Sequence, residues 1–487
     1  MKRHYFWLSL VTIAALAMTV SFLIGMGQSI WFDEAYSIVV AQRPLPEIVR
    51  LVGLDTHPPL YYILVHGWGE LFSWNTAALR LLSVIGFGGS IIMAGLLVRR
   101  LFGAKAAIAS VGMIALSPLL IRYGFEIRMY SLASCIGVVA TYAMVRAYQA
   151  KYGYQWWLVY AVLVALGMYT LYYLALLWVA HAVWLVWRMT QLKQQKIWYK
   201  QLWLRAYMGA VFLFLPWLPT FLRQTGNGAL APIGQPMHLE NLMGILSFNS
   251  IYKPIWQFTM FDTIVFLGAT AAAILLVRRA HRNYTKDQTA YLWLLIGYSV
   301  VPVLVLMAVS FVRPMYVERY LSHTAIAIPI LLGVVIAGAL SYRKDKVAVG
   351  GAGMIGAACI FGVLHIAMIG NYNFQRMSRP DVAQMSRYIA PCGERTAVIA
   401  ADPYVAIELM PQMPVSCSIY FYSTNPHLSG GYAPLNASKQ QLTSQSVQLP
   451  YDTLYYVYYD TPQLSIEGMR QTATITSDNL HVSTYRN

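Results

Sequence analysis

"SIWFDEAYSIVVAQRPLPEIVRLVGLDTHPPLYY", residues 29–62, follows directly on an apolar run over 5–27. The chain holds only 19 Asp and Glu in 487 residues, and four of them, Asp33, Glu34, Glu47 and Asp55, fall within this stretch. Ionisable groups gathered beside a hydrophobic segment ask for an explanation, because such groups are costly at membrane depth and mark function by default.

The surrounding chain is far from soluble usage. Its mean hydropathy is +0.51, and it is 58% hydrophobic and 11% charged, where soluble proteins are roughly 25% charged. Apolar runs near the length of about 20 residues that a bilayer demands recur over 5–27, 77–98, 106–121, 130–148, 156–167, 169–187, 206–222, 257–277, 289–311, 320–341 and 347–369. The stretch 156–187 is long for one helix and short for two. Lipid admits only helices or closed barrels, so the expectation is a polytopic α-helical membrane protein with about eleven spans and a separate C-terminal domain.

The net charge of +16 is unevenly placed. Residues 370–487 carry seven Lys and Arg against eight Asp and Glu, a balance of −1, so the excess lies in the membrane part. There, 19 of the 28 basic residues fall in alternate connections, at Lys2 and Arg3, Arg99 to Lys105, Arg146 and Lys151, Arg188 to Arg205, Arg278 to Lys286, and Arg343 to Lys346. The positive-inside rule makes that side cytoplasmic. A charge spread over loop ends fits topology rather than nucleic-acid binding. With an odd number of spans, 28–76, 122–129, 223–256, 312–319 and everything after 370 are expected outside the cytoplasm. The first span reads as an uncleaved anchor, its apolar core being too long for a signal peptide. The expected location is the plasma membrane, with a bacterial leaning from the lack of an organelle-retention tail.

The domains expected are 1–369 in the membrane, with 28–76 as its first outer loop, and 370–487 as a soluble, extracytoplasmic α/β domain. In the latter, "TAVIAA" (396–401) and "TLYYVYYD" (453–460) read as strands, and "RPDVAQMSRYIA" (379–390) and "PYVAIELM" (403–410) as helices. Cys392 and Cys417 are either a disulfide, which an oxidising compartment permits, or two buried thiols. Cys135 and Cys359 sit in apolar spans as packing residues, and no spacing resembles a zinc site.

The first loop is too long for a simple connection, and its composition is not that of a disordered segment. "PEIVRLV" (46–52) can form an amphipathic turn or two, and "PPLYYILVHGWGELF" (58–72) an interfacial helix whose Tyr61, Tyr62 and Trp68 suit the headgroup region. Basic residues occupy other outer mouths: "SPLLIRYGFEIRMYSLA" (117–133) places Arg122 and Arg128 there with Glu126 and Tyr130, and "RPMYVERYLSHTAIAIP" (313–329) places Arg313 and Arg319 with Glu318 and Tyr320. Arginine grips phosphate through paired donors, and a carboxylate can take a hydroxyl proton as a phosphate departs. Each signal has a plain competitor. Arg80, Arg122 and Arg128 could snorkel to the interface, Glu126 could pair with either neighbouring arginine, and His57 and His181 read as ordinary hydrogen-bonded residues.

Taken in order, "WFDEAYS", "DTHPPLYY", "LRLLSVI", "IRYGFEIRMYSLA" and "ERYLSHTAIAIP" resemble the C-type (GT-C) membrane glycosyltransferases. The similarity is to family 39, with protein O-mannosyltransferases, bacterial relatives and the lipid A aminoarabinose transferase. It is clear over roughly 5–150, thinner later, and does not extend to 370–487. The resemblance implies a polyprenyl-monophosphate-linked sugar as donor and transfer with inversion to a lipid, glycan or protein acceptor outside the cytoplasm. It puts the general base at Asp33, with Glu34 orienting it. Asp55, His57 and Tyr61 then line the acceptor side or steady the loop. Arg122 and Arg128, with Tyr123 and Tyr130, hold the donor phosphate, and Arg319 is a further candidate.

One departure is plain: Ala35, Tyr36 and Ser37 follow the acidic pair, where the aminoarabinose transferase has a basic residue. No obligatory cofactor is implied, since the outer loops carry no Asp-x-Asp motif, although the spacing of Asp33, Asp55 and His57 leaves room for a divalent cation. The alternative is a transporter or flippase of a lipid-linked sugar, which should place charges near mid-membrane in two similar halves. A non-catalytic scaffold displaying the tail is a third reading, and it has no need of acids and arginines at loop mouths.

Overall fold

The computed structural model describes residues 3–150, 153–191, 201–226, 239–312, 316–341, 345–369, 381–389, 392–414, 416–438 and 440–487. Arg313 lies outside them. Among the described residues, eight helices are long and apolar enough to cross a membrane, or nine if one bent pair is counted as a span. Helices occupy all eleven predicted segments, but the pair predicted within 156–187, Tyr154–Thr170 and Leu174–Gln191, is not among the eight. The chain divides into two compact units, Met1–Gly25 with Arg80–Met368, and Met26–Leu79 with Ile369–Asn487.

The first unit is a helical bundle. The predicted span 106–121 is in fact two helices, Ala104–Ala115 and Pro118–Gly124, bent by 66°. Pro118 clashes with a helical conformation of the residue before it, and Ser117 is accordingly extended, at φ −73° and ψ 113°. Proline is well suited to begin the second helix, since its missing N–H is not needed there. Arg122, expected in a loop, therefore sits on a helix.

Helix packing in this unit relies on small side chains, as expected where lipid removes any hydrophobic drive to associate. Ser110 donates to the Ile330 carbonyl at 2.9 Å. A Cβ on Gly333 would lie 2.2 Å from Ser110 Cα, so helices Ala104–Ala115 and Ala327–Ala339 touch backbone to backbone. Gly333→Val is expected to force these helices apart and abolish a monodisperse folded peak in detergent. Ser110→Ala should cost only about 0.6 kcal/mol, read as a small drop in melting temperature.

The second unit is built on a mixed sheet in the order β3-β2-β1-β5-β8-β7. Its strands are β1 (Thr396–Ala400), β2 (Ser418–Tyr422), β3 (Gln441–Leu442), β5 (Thr453–Tyr459), β7 (Arg470–Ser477) and β8 (Leu480–Arg486). A separate parallel pair joins β4 (Ser446–Val447) to β6 (Ser465–Ile466). β1 pairs in parallel with β2 and β5, while β8 runs antiparallel to both β5 and β7. The β-branched and aromatic runs TAVIA and TLYYVYY suit the two central strands. Ala397, Ile399, Leu454 and Tyr456 pack on one face with Val447 and Ile466. Val398, Ala400 and Val457, pointing the other way, are buried as well, as in parallel sheets covered on both faces.

Cys392 and Cys417 form a disulfide across 25 residues, ahead of β1 and β2, which settles the choice that the sequence left open. By loop-closure entropy it stabilises the domain by about 3 kcal/mol. Cys392→Ser is expected to lower the denaturation midpoint of the C-terminal domain, followed by near-ultraviolet circular dichroism, while leaving the membrane helices folded.

Candidate active site

The acidic pair opens a helix, Phe32–Ala41, with Trp31 as its N-cap and both acids in the first turn. A helix N-terminus favours negative charge. Asp33 is half-buried and Glu34 is fully buried. The Ser37 hydroxyl donates to the Asp33 carbonyl at 2.9 Å, tying the first turn to the second. This helix packs on Leu60–Leu71 through an edge-on Tyr36–Tyr62 pair, 5.9 Å between centroids, and His66 Nδ1 donates to the Ala41 carbonyl at 2.8 Å.

Tyr61 and Tyr62 were expected at the headgroups, but they are 1% and 0% exposed. The helix turns its aromatic face to the acidic helix because edge-to-face packing adds to what burial alone supplies. Trp68 is half-buried and donates to the Ala78 carbonyl at 2.8 Å. Between the two helices in sequence, His57 Nδ1 lies 3.3 Å from Asp55 Oδ2 and 3.0 Å from Thr56 Oγ1. Asp55 and His57 are both buried. The second unit therefore holds Asp33, Glu34, Asp55, His57 and Tyr61 together on one folded loop.

The first unit holds the arginines. Every residue of Pro118–Gly124 is buried. Arg122 is 3% exposed and Arg128 2%. Arg122 Nη2 lies 3.6 Å from Glu126 Oε1, and its guanidinium stands 4.8 Å from the Phe125 ring centre. Arg80 approaches the same ring at 5.5 Å and donates to the Gly25 carbonyl. It is 1% exposed, so it does not snorkel as a span anchor would. Its side chain finds a backbone carbonyl and an aromatic face inside the unit, which offsets the loss of water.

A run of rings joins segments distant in sequence. Tyr123 meets Tyr130 at 5.3 Å, Tyr130 meets Tyr320 at 6.4 Å, and Tyr320 meets Tyr173 at 5.0 Å. Arg319 lies on the short turn Glu318–Leu321, its guanidinium 5.6 Å from the Tyr320 ring. The structure thus brings Arg122, Tyr123, Tyr130 and the Arg319 turn into one aromatic and guanidinium neighbourhood, while Arg128 is buried two residues before Tyr130. Tyr173, in the ambiguous 156–187 stretch, is not among the candidates that the sequence offers, and Arg80 enters there only as a residue that could anchor its span. A lone arginine in an apolar helix was the available signal for the latter.

His181, expected as a satisfied packing residue, is buried at 3.0 Å from both Thr141 Oγ1 and the Tyr160 hydroxyl. Among the described residues, no three His, Cys, Asp or Glu side chains are gathered as for a metal ion.

The chain is an integral, multi-pass helical membrane protein with buried arginines and a β-containing C-terminal domain. Residues 56–219 match the family model described as dolichyl-phosphate-mannose-protein mannosyltransferase. The fold is similar to that of ArnT from Cupriavidus metallidurans. With undecaprenyl phosphate bound, that structure aligns at a TM-score of 0.63 and 11% identity over 97% of each chain. The apo form aligns at 0.63 and 12% identity over 99% of this chain and 98% of that one. The archaeal oligosaccharyltransferase AglB from Archaeoglobus fulgidus is more distant, at a TM-score of 0.48 and 13% identity over 93% of this chain and 69% of that one. None of the curated proteins matches the chain in sequence.

Arg122 and Glu126 are buried together, so removing either should harm the other. A double-mutant cycle of Arg122→Gln and Glu126→Gln, read by thermal stability in detergent, is expected to return a coupling energy of about 1–3 kcal/mol.

Proposed function

We propose that the chain is a membrane glycosyltransferase that moves a sugar from a polyprenyl monophosphate to an acceptor hydroxyl on the extracytoplasmic face, with inversion. The observation that carries this reading is the burial of Arg122 and Arg128, with Arg122 5.9 Å from the Tyr123 ring that meets Tyr130, in a chain whose fold follows ArnT over nearly its whole length. Buried guanidiniums suit a phosphate monoester, offering paired donors in a site of low dielectric. The similar structure holds undecaprenyl phosphate, and the matched family is named for a dolichyl-phosphate sugar. The Cys392–Cys417 disulfide agrees with a C-terminal domain in an oxidising compartment.

In this reading the bond between the anomeric carbon and the donor phosphate oxygen breaks as the acceptor oxygen forms its own bond to that carbon. Asp33 takes the acceptor proton, and Glu34 orients Asp33. Arg122 and Arg128 hold the phosphate and stabilise the charge that grows on it as it leaves, with Tyr123 and Tyr130 alongside and Arg319 as a further donor. Polyprenyl phosphate departs without needing a proton, so one base suffices for inversion. Asp55, His57 and Tyr61 steady the loop on the acceptor side. The acceptor is a lipid, glycan or protein, and a divalent cation is not required by any step.

The test is mass spectrometry of lipid extracts from cells making wild type, Asp33→Asn or no protein. A polyprenyl-phosphate sugar is expected to accumulate in both defective strains. On purified protein Asp33→Asn should lower turnover by about 10²–10⁴-fold, the range of general-base catalysis. Arg122→Lys keeps the charge but loses the planar fork, and should lower it by about 10²-fold or more. Identical lipid pools in all three strains, with no transfer by the purified protein from undecaprenyl-phosphate mannose or undecaprenyl-phosphate aminoarabinose, would overturn the proposal.

A further inference from the structure

The residue just before Asp33 is held by the C-terminal domain. The Phe32 ring stacks on Tyr404 at 4.5 Å between centroids and 7° between planes, and meets Tyr432 edge-on at 5.6 Å. Below the same ring lies Gly431, where an added Cβ would come within 3.1 Å of Phe32 Cε1 and Cζ. The preceding Gly430 adopts φ +58°, a left-handed conformation that glycine takes without steric cost. The Gly430–Gly431 pair thus lets the backbone of the C-terminal domain come close to Phe32.

Each part of this clamp is itself anchored. Tyr404 lies on the helix Pro403–Leu409, which Asp402 caps by accepting from the Val405 N–H at 2.9 Å. Its ring meets Tyr459 at 6.0 Å. The Tyr459 hydroxyl donates to Glu408 Oε2 at 2.7 Å, so a buried carboxylate ties this helix to β5. The Asn436 side chain accepts from the Leu428 N–H at 2.8 Å and donates to the Leu428 carbonyl at 2.6 Å, closing the glycine segment into a loop. Ahead of the acidic helix, Ser29 Oγ accepts from the Ala383 N–H at 3.0 Å.

Successive side chains leave a helix about 100° apart, so pinning Phe32 fixes the direction in which Asp33 projects. We propose that the C-terminal domain is the positioning element for Asp33, acting through the Tyr404–Phe32 stack and the Gly431 contact. This rests on Asp33 being the base of the proposed transfer. Tyr404 acts through Phe32 and touches no reacting atom in this scheme. It is a positioning residue, and the C-terminal domain is part of the catalytic apparatus rather than an appendage that only recognises acceptors.

The experiment is amide hydrogen exchange and turnover on the full chain in detergent, for wild type, Tyr404→Ala, Tyr404→Phe and Phe32→Ala. In Tyr404→Ala, amides in 33–41 should exchange at least tenfold faster while β1 and β5 keep their protection. Tyr404→Phe retains the stack and should restore wild-type exchange. If Tyr404→Ala loses protection throughout the sheet, Phe32→Ala removes the same stack from outside that domain and should loosen 33–41 alone. With undecaprenyl-phosphate mannose or aminoarabinose as donor, kcat should fall tenfold or more in the alanine variants, with KM for the donor changed less than twofold and recovery in Tyr404→Phe. Unchanged exchange over 33–41 in both alanine variants overturns the proposal, as does loosening without any loss of kcat in an active enzyme. If wild type transfers neither sugar yet 33–41 loosens as expected, the clamp stands and it is the assigned reaction that fails.

Discussion

Arg122 lies on a seven-residue helix whose every side chain is buried, inside a unit made of membrane-length helices. Burying a guanidinium is the constraint that the first unit must satisfy, because an unpaired buried charge is among the costliest features a fold can carry. The structure meets it with Glu126 at one side and the Phe125 ring at another. Arg80 shares that ring and reaches back to a carbonyl of the first helix. The break at Ser117–Pro118 belongs to the same solution. Pro118 supplies the corner and also starts the next helix, along which every residue, Arg122 included, is buried. A group kept buried and charged in this way is suited to an anion that must enter a dry site, which is why the arginines and not the acids carry the reading of the donor.

The acids answer to a different constraint. In the proposed transfer Asp33 must point in one direction, and a ten-residue helix cannot guarantee this alone, since short helices are marginal without tertiary packing. Four contacts supply what the helix lacks. Tyr62 and His66 hold its far turns, and Tyr404 with Gly431 holds its first residue. The C-terminal domain, with its disulfide and doubly covered central strands, carries the residues against which the first turn of that helix is packed.

Much of this was legible in the residues. The spans, the helical character of 45–53 and 60–71, the strands at 396–400 and 453–459, and the candidate acids and arginines all follow from local composition and periodicity, and the family resemblance linked them to one chemistry. The departures are of one kind: Tyr61 and Tyr62, expected at the headgroups, are buried, Arg80, which could have anchored its span at the interface, is buried too, and the segment 106–121 is bent. Hydropathy reports how apolar a segment is, but not which neighbour its polar tips will meet, and so exposure at the interface was assumed where partners inside the protein were available.

By itself, then, the sequence determined the membrane class, the order of the helices and the set of candidate acids and arginines, because each depends on side-chain type within a window of one helix or strand. Only the tertiary structure decided that the arginines share an aromatic neighbourhood with Tyr173 and Tyr320, and that the acidic helix docks on a domain that begins more than three hundred residues later. The hydrogen bond from Ala383 to Ser29 spans 354 residues, and the Phe32–Tyr404 stack is of similar reach. Contacts of that kind leave no periodicity in the chain, because they are selected by the shape and polarity of two surfaces that exist only after each has folded.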